Sequence, residues 1–123
     1  MSGFKPDGWS TVTPRIVTED VATMVAFLKA VFSAEGEVAA GRPAELRIGD
    51  STLMVSDGGG LRQPGGAFLY VYVPDVDAAF ARACDLGAES LEPPAPTPYG
   101  DRRAMFRDPW GGLWQIATRT GAS

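Results

Sequence analysis

Residues able to do chemistry are few in this chain. Among 123 residues there is no histidine and a single cysteine, Cys84. Without an imidazole, neither a Ser-His-Asp nor a Cys-His arrangement can be assembled. Cys84 has no basic partner to activate it and sits in a helical pattern among Ala83 and Leu86, so it reads as a small apolar residue. Gly58-Gly59-Gly60 is not set between a strand and a helix, and no glycine-lysine phosphate loop is present. Acid-base chemistry would fall to Asp, Glu, Cys84 or the phenols of Tyr70, Tyr72 and Tyr99. The carboxylates of Asp101 and Asp108 stand beside arginines, in GDRR and FRD, which is the pattern of structural or surface pairs. What remains is stacking and hydrogen bonding, from Phe68, Tyr70, Tyr72, Trp9 and Trp110 with Arg15 and Gln115.

Those residues need elements to position them, and the composition says how many. A chain of this length with 45% apolar and 21% charged residues is one ordinary folded domain with a real core. The net charge of −4 disfavours nucleic acid, which asks for a basic stripe. No stretch of 18 uncharged apolar residues is available to cross a bilayer. MSGFKPDGWS has no apolar core of a secretory signal, and one cysteine suits a reducing compartment, so a cytoplasmic location is expected.

Periodicity then lays out the elements. Residues 1–10 are an arm, and Thr11 to Thr18 alternate as a strand that Pro14 makes irregular. Asp20 caps a helix whose Val21, Met24, Val25, Leu28, Val31 and Phe32 share one face. A weak strand is expected at 37–40, then a hairpin of Ala44 to Ile48 and Thr52 to Ser56. The glycine-rich run 58–66 is a linker. Beyond it the order repeats: strand Ala67 to Val73, cap Asp75, helix Val76 to Leu86, weak strand Ala88 to Leu91, a proline-rich loop from Glu92 to Pro98, and a hairpin around Asp108-Pro109-Trp110-Gly111-Gly112. TEDVATMVAF aligns with VPDVDAAFAR, and IGDSTLMV with PWGGLWQI, so two βαβββ modules, about 11–57 and 67–119, are expected within one domain. Each module has an uncovered sheet face, and pairing the two curls eight strands into a cleft with the helices outside, an α+β fold.

Strand parity sorts the side chains. Leu69, Val71 and Val73 suit the helix side, which leaves Phe68, Tyr70 and Tyr72 for the cleft. Trp114 and Ile116 likewise leave Leu113, Gln115 and Ala117. The first module contributes Thr13, Arg15, Met54 and Ser56, and Trp110 projects from its turn at the rim.

Tyr99 to Thr118, YGDRRAMFRDPWGGLWQIAT, resembles the C-terminal strand pair of the vicinal-oxygen-chelate superfamily, the glyoxalase, bleomycin-resistance and extradiol-dioxygenase proteins. AELRIGDSTLMVSD and LYVYVPDVDAA extend the likeness over nearly the whole chain, which is most similar to a glyoxalase-like or PhnB-like group. The resemblance implies paired βαβββ modules, frequent dimers and, in metal-dependent members, four cleft ligands, commonly His, Glu or Gln, His and Glu. The positions it assigns to them here hold Thr13, Met54, Phe68 and Gln115, which suit no divalent first-row metal. In this reading Asp101 and Arg102 brace the loop from Pro93 to Gly100.

The function expected from these residues is metal-free and cofactor-free binding of a planar or aromatic small molecule by a homodimer, as in the bleomycin-resistance branch. The binding residues are Thr13, Arg15, Met54, Ser56, Phe68, Tyr70, Tyr72, Trp110 and Gln115, with neither nucleic acid nor membrane as partner. The alternatives are a lyase, isomerase or dioxygenase using an atypical metal site, and a vestigial module whose cleft its own side chains fill.

Overall fold

A computed structural model describes residues 3–121. The chain divides into two compact units, one built from residues up to 29 with 33–64 and the other from 30–32 with 65 onward. In the first, β1 (Arg15–Val17) leads into helix α1 (Val21–Phe32), whose last three residues belong to the second unit, and β2 (Ala44–Ile48) and β3 (Ser51–Ser56) form a hairpin. The sheet order is β1-β3-β2, with β1 parallel and β2 antiparallel to β3. Pro14 shortens the expected strand at its start, though its carbonyl still accepts from Met54 N at 2.9 Å. The Asp20 side chain caps α1 by accepting from Thr23 N at 3.3 Å. Ile16, Leu53, Val55, Ala44 and Leu46 are buried with Met24, Val25 and Leu28 of the helix, as the 3.6-residue and two-residue periods require.

The strand expected at 37–40 does not form. Its place is taken by one bridge between Glu35 and Arg47, closed by backbone bonds of 2.9 and 2.8 Å. All four side chains from Glu37 to Ala40 are exposed, and seven strands form among the described residues. Gly36 is what the bridge depends on. Its φ of +134° disfavours any side chain, and a Cβ there would collide with the Glu45 carbonyl and lie 2.8 Å from Leu46 Cδ2. Gly36→Ala is therefore expected to destabilise the protein by roughly 2–3 kcal/mol, as forced overpacking does, measured by urea unfolding.

In the second unit β4 (Phe68–Tyr72) is followed by α2 (Val76–Asp85), β5 (Glu89–Pro96), β6 (Asp101–Arg107) and β7 (Leu113–Arg119). The order is β4-β7-β6-β5, and β4 runs parallel to β7. The stretch from Glu92 to Pro96, expected as loop, instead continues β5. It lies at the sheet edge, where missing proline N–H groups leave no ladder bond unmade, and its register with β6 shifts between Ser90 and Glu92 and again between Glu92 and Ala95. α2 presents the small, buried Ala79 and Ala83. The side chain of Asp75 caps it, accepting from Ala78 N at 3.1 Å, and Thr118 Oγ1 ties it to the sheet, accepting from Val76 N and donating to Val73 O. Trp114, Ile116, Ala104 and Phe106 are fully buried, and Trp114 lies 5.1 Å from the Phe32 ring and 6.4 Å from that of Phe106. Among the described residues, no helix is long and apolar enough to cross a membrane.

Candidate functional site

The face of the second sheet opposite this core holds the richest array of polar and aromatic side chains. Register fixes its members: Phe68 is beside Leu113, Tyr70 beside Gln115, and Tyr72 beside Ala117. One strand further, Arg107, Met105 and Arg103 continue these rows, and Asp101 pairs with Arg119. Phe68 and Tyr72 leave 61% and 60% of their surfaces open, far more than aromatic residues placed there for packing would.

Asp101 organises one end of this face. It is only 1% exposed, and its Oδ2 accepts from the hydroxyls of Tyr70 at 2.6 Å and Tyr72 at 2.8 Å. Its Oδ1 accepts from Arg119 Nη1 at 3.2 Å, and Arg119 also holds the Tyr99 carbonyl at 2.7 Å. A buried carboxylate needs partners of this kind. The Tyr99 hydroxyl is 3.3 Å from that of Tyr70 and accepts from Arg103 Nη1 at 2.9 Å, while Arg103 reaches Glu92 at 3.6 Å.

These contacts set the proton affinities. Asp101 is held below the usual carboxylate range, first by the Tyr70 hydroxyl, then by Tyr72 and Arg119, against the opposing effect of burial. Tyr70 is pushed far above the usual phenol range by desolvation and by its bond to Asp101, and Tyr72 is raised chiefly by its bond to the same carboxylate. Tyr99 moves the other way, lowered first by its hydrogen bond with the Tyr70 hydroxyl and then by Arg103. The face thus carries two phenols committed as donors and one biased toward acceptance.

Asp101 and Arg102 do not act together, as the reading of them as a brace had it. Asp101 braces the Thr97–Gly100 turn through its backbone, with the carbonyl accepting from Thr97 N at 2.8 Å, while its side chain enters the sheet face. Arg102 points the opposite way and forms a two-bond pair with Asp77 of α2, both bonds 2.9 Å. Nor are the neighbouring arginines the partners of Asp108. That carboxylate accepts from Trp110 N at 2.9 Å, Gly112 N at 2.8 Å and Trp114 Nε1 at 2.8 Å.

The expected site residues separate by unit. In the second, Phe68, Tyr70, Tyr72 and Gln115 share the open face, whereas Trp110 sits in the β6–β7 turn, roughly 20 Å along the strand from Asp101. In the first, Arg15 and Met54 are partners in register, and Arg15 Nε donates to Ser56 Oγ at 3.0 Å. Thr13 lies ahead of β1 with its hydroxyl donating to Ser10 O at 3.3 Å, and Trp9 is half-buried in the N-terminal arm. Sequence reading missed the side-chain roles of Asp101, Arg103 and Arg119. Extending strand parity through Asp101, Arg103 and Met105 would have found the first two.

The family described as Glyoxalase/Bleomycin resistance protein/Dioxygenase superfamily matches residues 11–116. The chain belongs to that superfamily. An uncharacterized Mycobacterium bovis protein, Mb0911c, is 31% identical, the match covering 85% of this chain and 80% of that one. Among solved structures, TioX from Micromonospora sp. ML1 is 27% identical with a TM-score of 0.70, covering 89% of this chain and 98% of the other. The fosfomycin resistance protein FosX from Mesorhizobium loti shares the fold at 24% identity and a TM-score of 0.68, covering 90% and 92%. At the positions where metal-dependent members of the superfamily are expected to hold ligands, this chain offers a hydroxyl, a thioether, a phenyl ring and an amide from Thr13, Met54, Phe68 and Gln115. Among the described residues, no three of His, Cys, Asp and Glu stand close enough together to hold a metal ion. That donor set does not fit a divalent first-row metal.

Proposed function

We propose that this superfamily member binds a planar or aromatic organic molecule on the open face of its second sheet, sequestering it without a chelated metal and without covalent chemistry. The observation that carries the reading is the row of exposed aromatic side chains on β4 next to polar groups that Asp101 already holds in place. Ring faces at Phe68 and Tyr72 supply stacking area, while Gln115 and the Tyr99 oxygen supply orienting contacts. Antibiotic sequestration is one use of such a face.

A thermal-shift screen against aromatic antibiotics and metabolites, with and without Mg, Mn, Ni and Zn, tests this. A ligand that binds the native state must raise the melting temperature, and a shift independent of metal is expected. Phe68→Ala should then weaken the responding ligand by about tenfold or more, as loss of an aromatic anchor does, with the fold intact because the ring is mostly exposed. A shift seen only with metal, or turnover of the ligand, would reverse the reading in favour of an enzyme.

A further inference from the structure

We propose that the first unit carries a separate site for a small organic anion, in a cavity of about 410 Å³ bounded by Arg15, Arg42, Arg62 and Ser56. The chain is acidic overall, with a net charge of −4. Against that background the cavity lining holds three arginines and a single carboxylate, Asp57.

Two of the three are also unspent. Among the described residues, neither Arg15 nor Arg62 is within ion-pair distance of a carboxylate, Asp57 included, and only Arg42 has such a partner, Glu45 at 3.4 Å. Yet both are placed. The Nε of Arg15 donates at 3.0 Å to the hydroxyl of Ser56, itself 6% exposed, which orients the guanidinium and leaves its two terminal nitrogens to other acceptors. Arg62 closes a turn with Gly59 through paired backbone bonds of 2.8 and 2.9 Å, so the side chain springs from a fixed base.

Like charges gathered in one cavity repel, and an oxyanion between them removes that cost while giving each planar fork a matching acceptor. The rest of the wall says the ligand is more than a bare ion. Val21, Val38, Ala39 and Pro43 add apolar surface to the same lining, and the volume falls at the small end of the range for small-molecule sites, about 300–1,000 Å³. A carboxylate or phosphoryl head on a short apolar body matches both kinds of lining residue. This site stands on first-unit residues alone, so it holds or fails independently of binding on the Phe68 face.

Calorimetric titration of the whole chain with benzoate, phenylphosphonate, inorganic phosphate and the neutral benzamide, at low and at high salt, tests it. At least one of the two organic anions should bind saturably, about tenfold or more tighter than benzamide, and lose affinity as salt screens the arginines. Arg15→Gln and Arg62→Gln should each weaken it by about tenfold or more, whereas Lys29→Gln, which removes a charge from the exposed pair with Glu37, should not. Backbone amide shifts of Ser56, Asp57 and Arg62 on adding the anion to the unmutated protein give the same answer without relying on any variant's folding. The proposal is overturned if neither organic anion binds, if benzamide binds as well, if only inorganic phosphate does, or if both arginine variants bind unchanged.

Discussion

Asp108→Ala is expected to melt about 12–20 °C below the parent protein, the largest single loss of stability any one of these side chains should cause. The carboxylate is 3% exposed and receives three donors, of which the Gly112 amide and Trp114 Nε1 are buried. Truncation leaves those two with nothing to donate to. Each stranded buried donor costs about 1–3 kcal/mol, and release of the Trp110 amide loosens the turn, for a total of roughly 3–5 kcal/mol. For a domain of this size 1 kcal/mol corresponds to about 4 °C, which gives the range stated. Asp108→Asn keeps one oxygen for the two turn amides but sets an NH2 group against Trp114 Nε1, so it should lose about half as much. Melting followed by tryptophan fluorescence checks both variants; an Asp108→Ala protein within about 4 °C of the parent would sink the account.

The same turn shows what could be read in advance. Asp108-Pro109-Trp110-Gly111-Gly112 announced a hairpin by its turn chemistry, and Gly111 has the positive φ of +93° that a glycine there suggests. Gly112 is glycine for another reason. A Cβ on it would come within 2.6 Å of Asp108 Oδ2, and such a close approach depends on a side chain that local sequence does not place. Both helix caps, Asp20 and Asp75, and the burial of Trp114 followed from short-range rules. The strand missing at 37–40 and the one gained at Glu92 to Pro96 did not. Whether a weak segment pairs is set by its tertiary neighbours: the open edge of β6 takes up Glu89 to Pro96, whereas on the outer edge of β2 only Glu35 pairs, with Arg47.

The site was legible by face and not by partner. Strand parity put Phe68, Tyr70, Tyr72 and Gln115 on one side because the two-residue period is geometric. It could not show that Asp101, thirty-one positions from Tyr70, would be the group that holds two of those phenols, since that follows from which strands lie side by side. The order β4-β7-β6 brings the ends of β4 and β6 to opposite sides of β7, and only long side chains such as tyrosine can meet a carboxylate across it.

Removing that carboxylate should alter the titration of all three tyrosines at once. In the parent protein the Tyr99 phenol should ionise below about 10, the ordinary value for tyrosine, with Tyr70 and Tyr72 above it. In Asp101→Ala, Tyr72 should return nearly to the ordinary value, because its bond to Asp101 is the leading cause of its shift. Tyr70 should come only part of the way, since desolvation, its leading cause, remains. Tyr99 should fall further: a nearby negative charge is gone, and the Tyr70 proton is released to serve it. Stability follows with signs fixed by linkage. The folded Asp101 has a depressed pKa, so its contribution is complete above the unfolded value of about 3.9 and is lost as pH falls through the folded one. Tyr70 and Tyr72 have raised values, so theirs is complete below about 10 and is lost as pH climbs through the folded ones. Asp101→Ala should therefore flatten the acid limb and part of the alkaline limb of the stability curve together. Ultraviolet titration of the phenolates, with denaturant melts across pH, reads both effects. A variant whose tyrosines titrate as the parent's do would mean that Asp101 does not hold those hydroxyls in solution, and the polar half of the proposed binding face would lose its support.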